Sequence, residues 1–126
     1  MRVATRRRPG TKSLAHAGMI KADCLRTTDG VRLNLLRAGP AGVANPLNAV
    51  VVLIPGWCMP AAIWRETILA LAPRHDVLAM DPRGQGDSDI PGHGYHIDQR
   101  ADDIAQCLEP FASVVLVGWS LGALEA

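Results

Sequence analysis

The chain has 126 residues, 48% of them apolar and 20% charged, with a formal net charge of +1. That composition suits one globular domain with a modest core. The near-neutral balance leaves no electrostatic footprint for nucleic acid, and no stretch approaches the ~20 apolar residues that a membrane span needs.

The charge is unevenly placed. Arg2, Arg6, Arg7, Arg8, Lys12 and Lys21 all precede the first acidic residue, Asp23. Residues 1–21 are therefore expected to be a basic, solvated leader, and residues 22–126 the folded part. A start site at Met19 is the alternative, since Met19 directly precedes the first strand-like segment. Arg7-Arg8 is not followed by an apolar core, so a secretory signal is not supported. Cys24, Cys58 and Cys107 are odd in number and widely spaced, without Cys-x-x-Cys, which favours reduced thiols in a cytoplasmic protein over a disulfide or a metal site.

From Ala22 to Arg37 the pattern predicts a hairpin that turns at Thr28-Asp29-Gly30, where Asp-Gly supplies a positive φ. Ala38 to Asn48 is rich in Gly, Pro and Asn and reads as a loop. Ala49 to Ile54 is a continuous, β-branched apolar run, as in a central strand covered on both faces. Ile63 to Leu71 follows as a helix with Trp64, Ile68 and Leu71 on one stripe, closed by Pro73. Val77 to Met80 is a further strand, and Asp81 to Gly94 a long loop. Ile97, Ala101, Ile104 and Leu108 recur at helical spacing up to Pro110. Val114 to Val117 is the last strand, and a helix should start at Ser120. Strands alternating with helices predict an α/β fold, a mostly parallel sheet behind an N-terminal hairpin. There is no internal repeat.

Gly118-Trp119-Ser120-Leu121-Gly122 reads Gly-x-Ser-x-Gly between an apolar strand and a helix, the context of a nucleophile elbow. A serine hydroxyl needs a base to take its proton, and a sharp strand-to-helix turn lifts it clear of the fold. Gly118 and Gly122 leave room where backbones pass close by. The N–H of Leu121 would point to where an oxyanion forms. A second donor is expected from the loop Pro55-Gly56-Trp57-Cys58-Met59-Pro60, as the N–H of Trp57. The alternatives are an ordinary turn with Ser120 as a helix cap, and Trp57 as a packing aromatic. Asp81-Pro82-Arg83-Gly84-Gln85-Gly86-Asp87-Ser88-Asp89 holds three aspartates and a serine. It reads as a structural turn, through Asp81, Arg83, Gly84 and Gly86, with Arg83 paired to a carboxylate. Met59, Ile63 and Trp64 suit either an acyl pocket or the core, and Cys58 suits a small wall residue better than a reactive thiol.

In this order the strand, the oxyanion loop, Asp-x-Arg-Gly-x-Gly-x-Ser and Gly-x-Ser-x-Gly resemble the α/β-hydrolase superfamily, over about Asp23 to Ala126. The likeness is to its serine carboxylesterase and cofactor-free haloperoxidase-like branch. It implies Ser120 as nucleophile, backbone N–H groups of Trp57 and Leu121 as the oxyanion hole, and no cofactor or metal. A serine at the elbow argues against the branches that use aspartate there. Pro55 departs from the family, where many members carry His before the glycine. Members place the acid and the His after later strands, and neither position exists in these 126 residues. His75, His93 and His96 precede Ser120 and match no catalytic position, and His16 lies in the leader.

The expected function is hydrolysis of small-molecule carboxylic esters or related acyl substrates through an acyl-enzyme on Ser120, by the N-terminal part of such an enzyme. The alternative is an inactive remnant or a partner-binding fragment that self-associates through an exposed sheet edge at Val114 to Val117. A nucleotide-binding domain is not supported, because neither Gly-x-Gly-x-x-Gly nor a Walker lysine is present.

Overall fold

A computed structural model describes residues 19–40 and 49–126. Most of the basic leader and the 41–48 segment of the Gly/Pro-rich loop lie outside the described residues. The elements are β1 (Lys21–Arg26), β2 (Arg32–Ala38), β3 (Val50–Ile54), a 3-10 turn (Ala61–Trp64) running into α1 (Arg65–Leu71), β4 (Asp76–Met80), α2 (Ile97–Leu108), β5 (Val114–Gly118) and α3 (Leu121–Glu125). These follow the order expected from the apolar runs, with β1 starting one residue earlier.

β1 and β2 pair antiparallel, Arg26 opposite Arg32. The turn between them places Gly30 at φ 86°, and the Gly30 N–H donates to the Thr27 carbonyl at 2.9 Å. This is a three-residue hairpin loop with glycine at the left-handed position. The sheet order is β1-β2-β4-β3-β5, with β4-β3 and β3-β5 parallel and β2-β4 antiparallel. The α/β architecture is as expected, and the hairpin joins the sheet through β4.

β3 shows why its sequence is uninterruptedly apolar. Val52 and Ile54 face one cluster with Leu33, Leu35, Leu78, Met80, Ile104 and Cys107. Val51 and Leu53 face the other, with Ala61, Ile68, Val77 and Ala79. Side chains alternate along a strand, so a strand flanked by β4 and β5 and covered on both faces must be apolar at every position. Each fully buried aliphatic side chain here stabilises by about 1.5–3 kcal/mol.

α1 buries Ile68, with Trp64 and Leu71 packed against the same cluster, as expected. α2 differs from expectation. Its buried residues are Arg100, Asp103, Ile104 and Cys107, while Ile97 is 50% exposed. Two charged residues occupy the inward stripe because each has a buried ionic partner, a condition under which charge is tolerated in a core. β5 is one edge strand of the described sheet, β1 being the other, and Val115 on β5 is 43% exposed. No helix among the described residues is long and apolar enough to cross a membrane.

Candidate active site

The three parallel strands β3, β4 and β5 end on the same side of the sheet, and the loops that follow them meet there. Crevices at the carboxyl ends of parallel strands are where open α/β sheets bind ligands. Ser120 stands directly after β5, where Trp119 N–H still donates to the Ile54 carbonyl at 3.1 Å. The chain then turns abruptly. Ser120 has φ 54° and ψ −121°, one of two non-glycine residues with positive φ among the described residues. Such a conformation costs on the order of 1–3 kcal/mol and persists only where its surroundings enforce it.

The enforcing contacts are visible. A Cβ on Gly118 would meet the Gly122 carbonyl oxygen and the Ala123 backbone nitrogen, the latter at 2.6 Å. A Cβ on Gly122 would lie 2.6 Å from the Ile54 carbonyl oxygen. Strand, turn and helix thus pack with no space for side chains at either glycine. Ser120 is exposed and occupies the N-cap position of α3, but its hydroxyl makes no capping bond. The capping-serine alternative therefore fails on geometry.

The loop after β3 lies against this turn. A Cβ on Gly56 would stand 3.2 Å from the Ser120 Cβ and 3.1 Å from the Trp119 ring. Trp57 is 61% exposed, and the Arg100 guanidinium sits 6.0 Å from its ring centroid. Among the described residues, the backbone N–H groups of Trp57 and Leu121 donate no hydrogen bond. Cys58 next to Trp57 is the other positive-φ residue, at φ 56°.

The polar loop after β4 is built quite differently. Asp81 is buried, and its carboxylate accepts from Asn34 Nδ2 at 2.8 Å, from Asp87 N–H at 2.9 Å and from Ala61 N–H. A Cβ on Gly86 would collide with that carboxylate, which explains the glycine. Ser88 Oγ donates to the Asp81 carbonyl at 2.6 Å and accepts from Asn34 N–H at 2.8 Å. Arg83 is fully buried. Its Nε and Nη2 donate to the two Asp103 carboxylate oxygens, both at 2.6 Å, and Nη1 reaches Asp29 at 3.0 Å. Gly84, at φ 76°, lets the chain pass under the Tyr95 ring.

This network sets the local electrostatics. The Arg83 guanidinium, then the Thr27 hydroxyl, hold the Asp29 carboxyl down at about 2. Asp103 drives the Arg83 pKa still higher than usual. Burial pushes the Cys107 thiol up to about 11. A second buried pair, Arg100 with Glu125, ties α2 to α3 just behind the elbow.

Two residues that sequence reasoning gave no role bridge the regions. Gln85 Nε2 donates to the carbonyls of Met59 at 2.9 Å and Gly56 at 3.2 Å, and its Oε1 accepts from Cys58 N–H at 3.0 Å. Arg100 touches both Glu125 and Trp57. Their signal in the sequence is slight, since a Gln inside a Gly-rich loop and an Arg on a polar helix both read as solvated. Trp64, one of the acyl-pocket candidates, belongs to the core, and Ile63 is exposed. A cavity of about 260 Å³ beside Trp57 is lined instead by Trp57, Cys58, Gln85, Tyr95 and Arg100. A larger one, about 470 Å³, lies at the opposite end of the strands among Arg37, Gly39, Asp76 and Phe111, far from Ser120.

His93 Nε2 is 3.6 Å from Asp29, and His96 caps α2 by accepting from Gln99 N–H at 3.4 Å. Among the described residues, none of His75, His93 and His96 hydrogen-bonds to Ser120, and no group of three His, Cys, Asp or Glu residues is placed to hold a metal ion. His16 lies outside the described residues.

A family model described as the alpha/beta hydrolase fold matches residues 49–126. The chain belongs to the α/β-hydrolase fold family. This α/β hydrolase is 37% identical over 81 residues to a pimeloyl-[acyl-carrier protein] methyl ester esterase of Vibrio cholerae, covering 60% of this chain and 29% of that protein. Among solved structures it resembles an epoxide hydrolase from Vigna radiata with a TM-score of 0.73 and 26% identity, over 84% of this chain and 33% of that one. A thioesterase domain from the curacin biosynthetic pathway also matches at a TM-score of 0.73 and 25% identity, over 85% of this chain and 38% of that one. The α/β hydrolase described here spans under a third of the length of the curated esterases it matches.

Proposed function

We propose that this α/β hydrolase cleaves carboxylic esters or related acyl substrates through an acyl-enzyme on Ser120. A base takes the Ser120 hydroxyl proton as Oγ attacks the substrate carbonyl carbon. The oxyanion that forms is held by the N–H groups of Trp57 and Leu121. Collapse breaks the bond to the alcohol, which leaves with the proton held by the base. Water then repeats the sequence on the acyl group and restores the serine. The family resemblance implies a histidine, oriented by an acid, as that base. The chemistry calls for no cofactor or metal. Three unpaired cysteines support a reducing, cytoplasmic setting.

The observation that carries this reading is the exposed, strained Ser120 packed against a loop whose Trp57 N–H, like that of Leu121, is uncommitted. Both neighbouring N–H groups are then available for charge that develops only during reaction. The similarity to an esterase supports an ester over an epoxide as substrate class, and so does serine, rather than aspartate, at the elbow.

An alkyl fluorophosphonate tests it. Ser120 Oγ bonds to phosphorus, fluoride leaves, and the proton passes to the base and solvent. One phosphonyl group is expected on the peptide containing Ser120, and none in Ser120→Ala. Equal labelling of both proteins would refute the reading. A second reading, self-association along β5, is favoured by the exposure of Val115 on this edge strand of the described sheet. Concentration-dependent sedimentation that Val115→Lys abolishes is its expected signature.

A further inference from the structure

We propose that Gln85 is a positioning residue that sets the oxyanion-hole N–H of Trp57. The inference rests on the ester-hydrolase reading of Ser120.

Gln85 reaches across from the loop after β4 and binds the loop after β3 at three points, on Gly56, Cys58 and Met59. Its amide nitrogen donates to the carbonyls of Gly56 and Met59, and its amide oxygen accepts from Cys58 N–H. The partners fix the amide's orientation. Two carbonyls must face NH₂ and one N–H must face oxygen, so a flipped amide would lose all three bonds. The Gly56 carbonyl belongs to the same peptide unit as the Trp57 N–H, so one of these bonds holds that unit directly, and the bond from Cys58 N–H holds the next one. Cys58 is held at φ 56°, a conformation that a free loop would abandon.

The arm itself is rigidly mounted. Gln85 N–H donates to the Pro82 carbonyl at 2.9 Å, and Ser88 N–H donates to the Gln85 carbonyl at 3.1 Å. The same loop holds the Asp81 carboxylate, with three donors, and Arg83 of the buried Arg83–Asp103 pair. Gln85 is 9% exposed. The group that this loop bonds to the backbone around Trp57 is thus a neutral side chain. It supplies no reacting group. Its expected contribution is the direction of an N–H bond, to which oxyanion stabilisation is highly sensitive.

The test compares Gln85→Leu and Gln85→Glu with wild type. The alkyl fluorophosphonate is the probe, and its affinity (KI) and maximal labelling rate (kinact) at Ser120 are measured separately. Loss of a whole oxyanion donor costs about 10²–10³-fold in rate, so a misdirected one is expected to cost about tenfold or more. Gln85→Leu is expected to lower kinact by that factor with KI little changed. In Gln85→Glu the ionised carboxylate still accepts from Cys58 N–H but opposes two carbonyls. Once protonated, it donates again. The wild-type-to-variant rate ratio is therefore expected to shrink as pH falls for Gln85→Glu and to stay flat for Gln85→Leu.

Equal kinact for wild type and Gln85→Leu would overturn the proposal while leaving Ser120 as nucleophile. Failure of wild type to label would remove the underlying reading, and the proposal with it. Should Gln85→Leu fail to fold, Gln85→Glu decides alone: a pH-independent ratio overturns the proposal and a narrowing ratio supports it.

Discussion

The two loops that meet at the carboxyl ends of the sheet spend their polar groups in opposite ways. In the loop after β4, Asp81, Arg83 and Ser88 are buried, and each is committed to several named partners. At the elbow and the loop after β3, the exposed Ser120 makes no capping bond, and the N–H groups of Trp57 and Leu121 are uncommitted. A polar group with every partner in place lends its energy to stability. One held in place without a partner is available to a substrate. The richer display of aspartates therefore marks the scaffold, and the sparser loop marks the candidate chemistry.

If that contrast is sound, stability and reactivity should separate by region. The largest effect is expected from Arg83→Leu, which leaves Asp103 buried without its guanidinium. Removing one partner of a buried ion pair typically costs about 3–5 kcal/mol, readable by urea unfolding. A cost near zero would place the pair outside the scaffold. Next is Gly122→Ala, whose Cβ would meet the carbonyl oxygens of Pro55 and Ile54. Overpacking of this kind costs about 1–3 kcal/mol, and phosphonate labelling should fall with it. Ser120→Gly runs the other way. Relief of the positive φ should raise stability by about 1 kcal/mol while labelling is lost. A drop in stability would show that Ser120 is a structural residue.

The smallest effect is a pH dependence. The Asp29 carboxyl sits at about 2 in the folded protein, depressed from its ordinary value of 3.8. A depressed acid contributes stability above its ordinary value and loses it as pH falls through the folded one. Between about pH 4 and 2 the wild type should lose a stability increment that Asp29→Asn lacks. The increment should be modest, since the Asp29 side chain is 26% exposed.

Much of this architecture was legible in advance, because apolar runs and their spacing report burial directly. β3 reads as a doubly covered strand, and Asp29-Gly30 as the turn of the β1–β2 hairpin. The elbow reads from two glycines around Ser120, each of which proves to lack room for a Cβ. What was hidden depends on partners distant in sequence. Arg100 and Asp103 look like the solvated face of α2 until Glu125 and Arg83 are placed beside them. Helical spacing therefore selected Ile97, which is exposed. The role of Gln85 was equally hidden, because its three partners are carbonyl and N–H groups that every residue carries. The position of β4 between β2 and β3 is set by tertiary packing and leaves no local trace.

The central claim is that Trp57 and Leu121 present their N–H groups to charge developing at Ser120. A crystal structure of the phosphonylated protein tests it most directly. The account predicts one phosphoryl oxygen within about 2.7–3.1 Å of both backbone nitrogens. A phosphoryl oxygen turned away from both nitrogens, or an adduct on a residue other than Ser120, would contradict it.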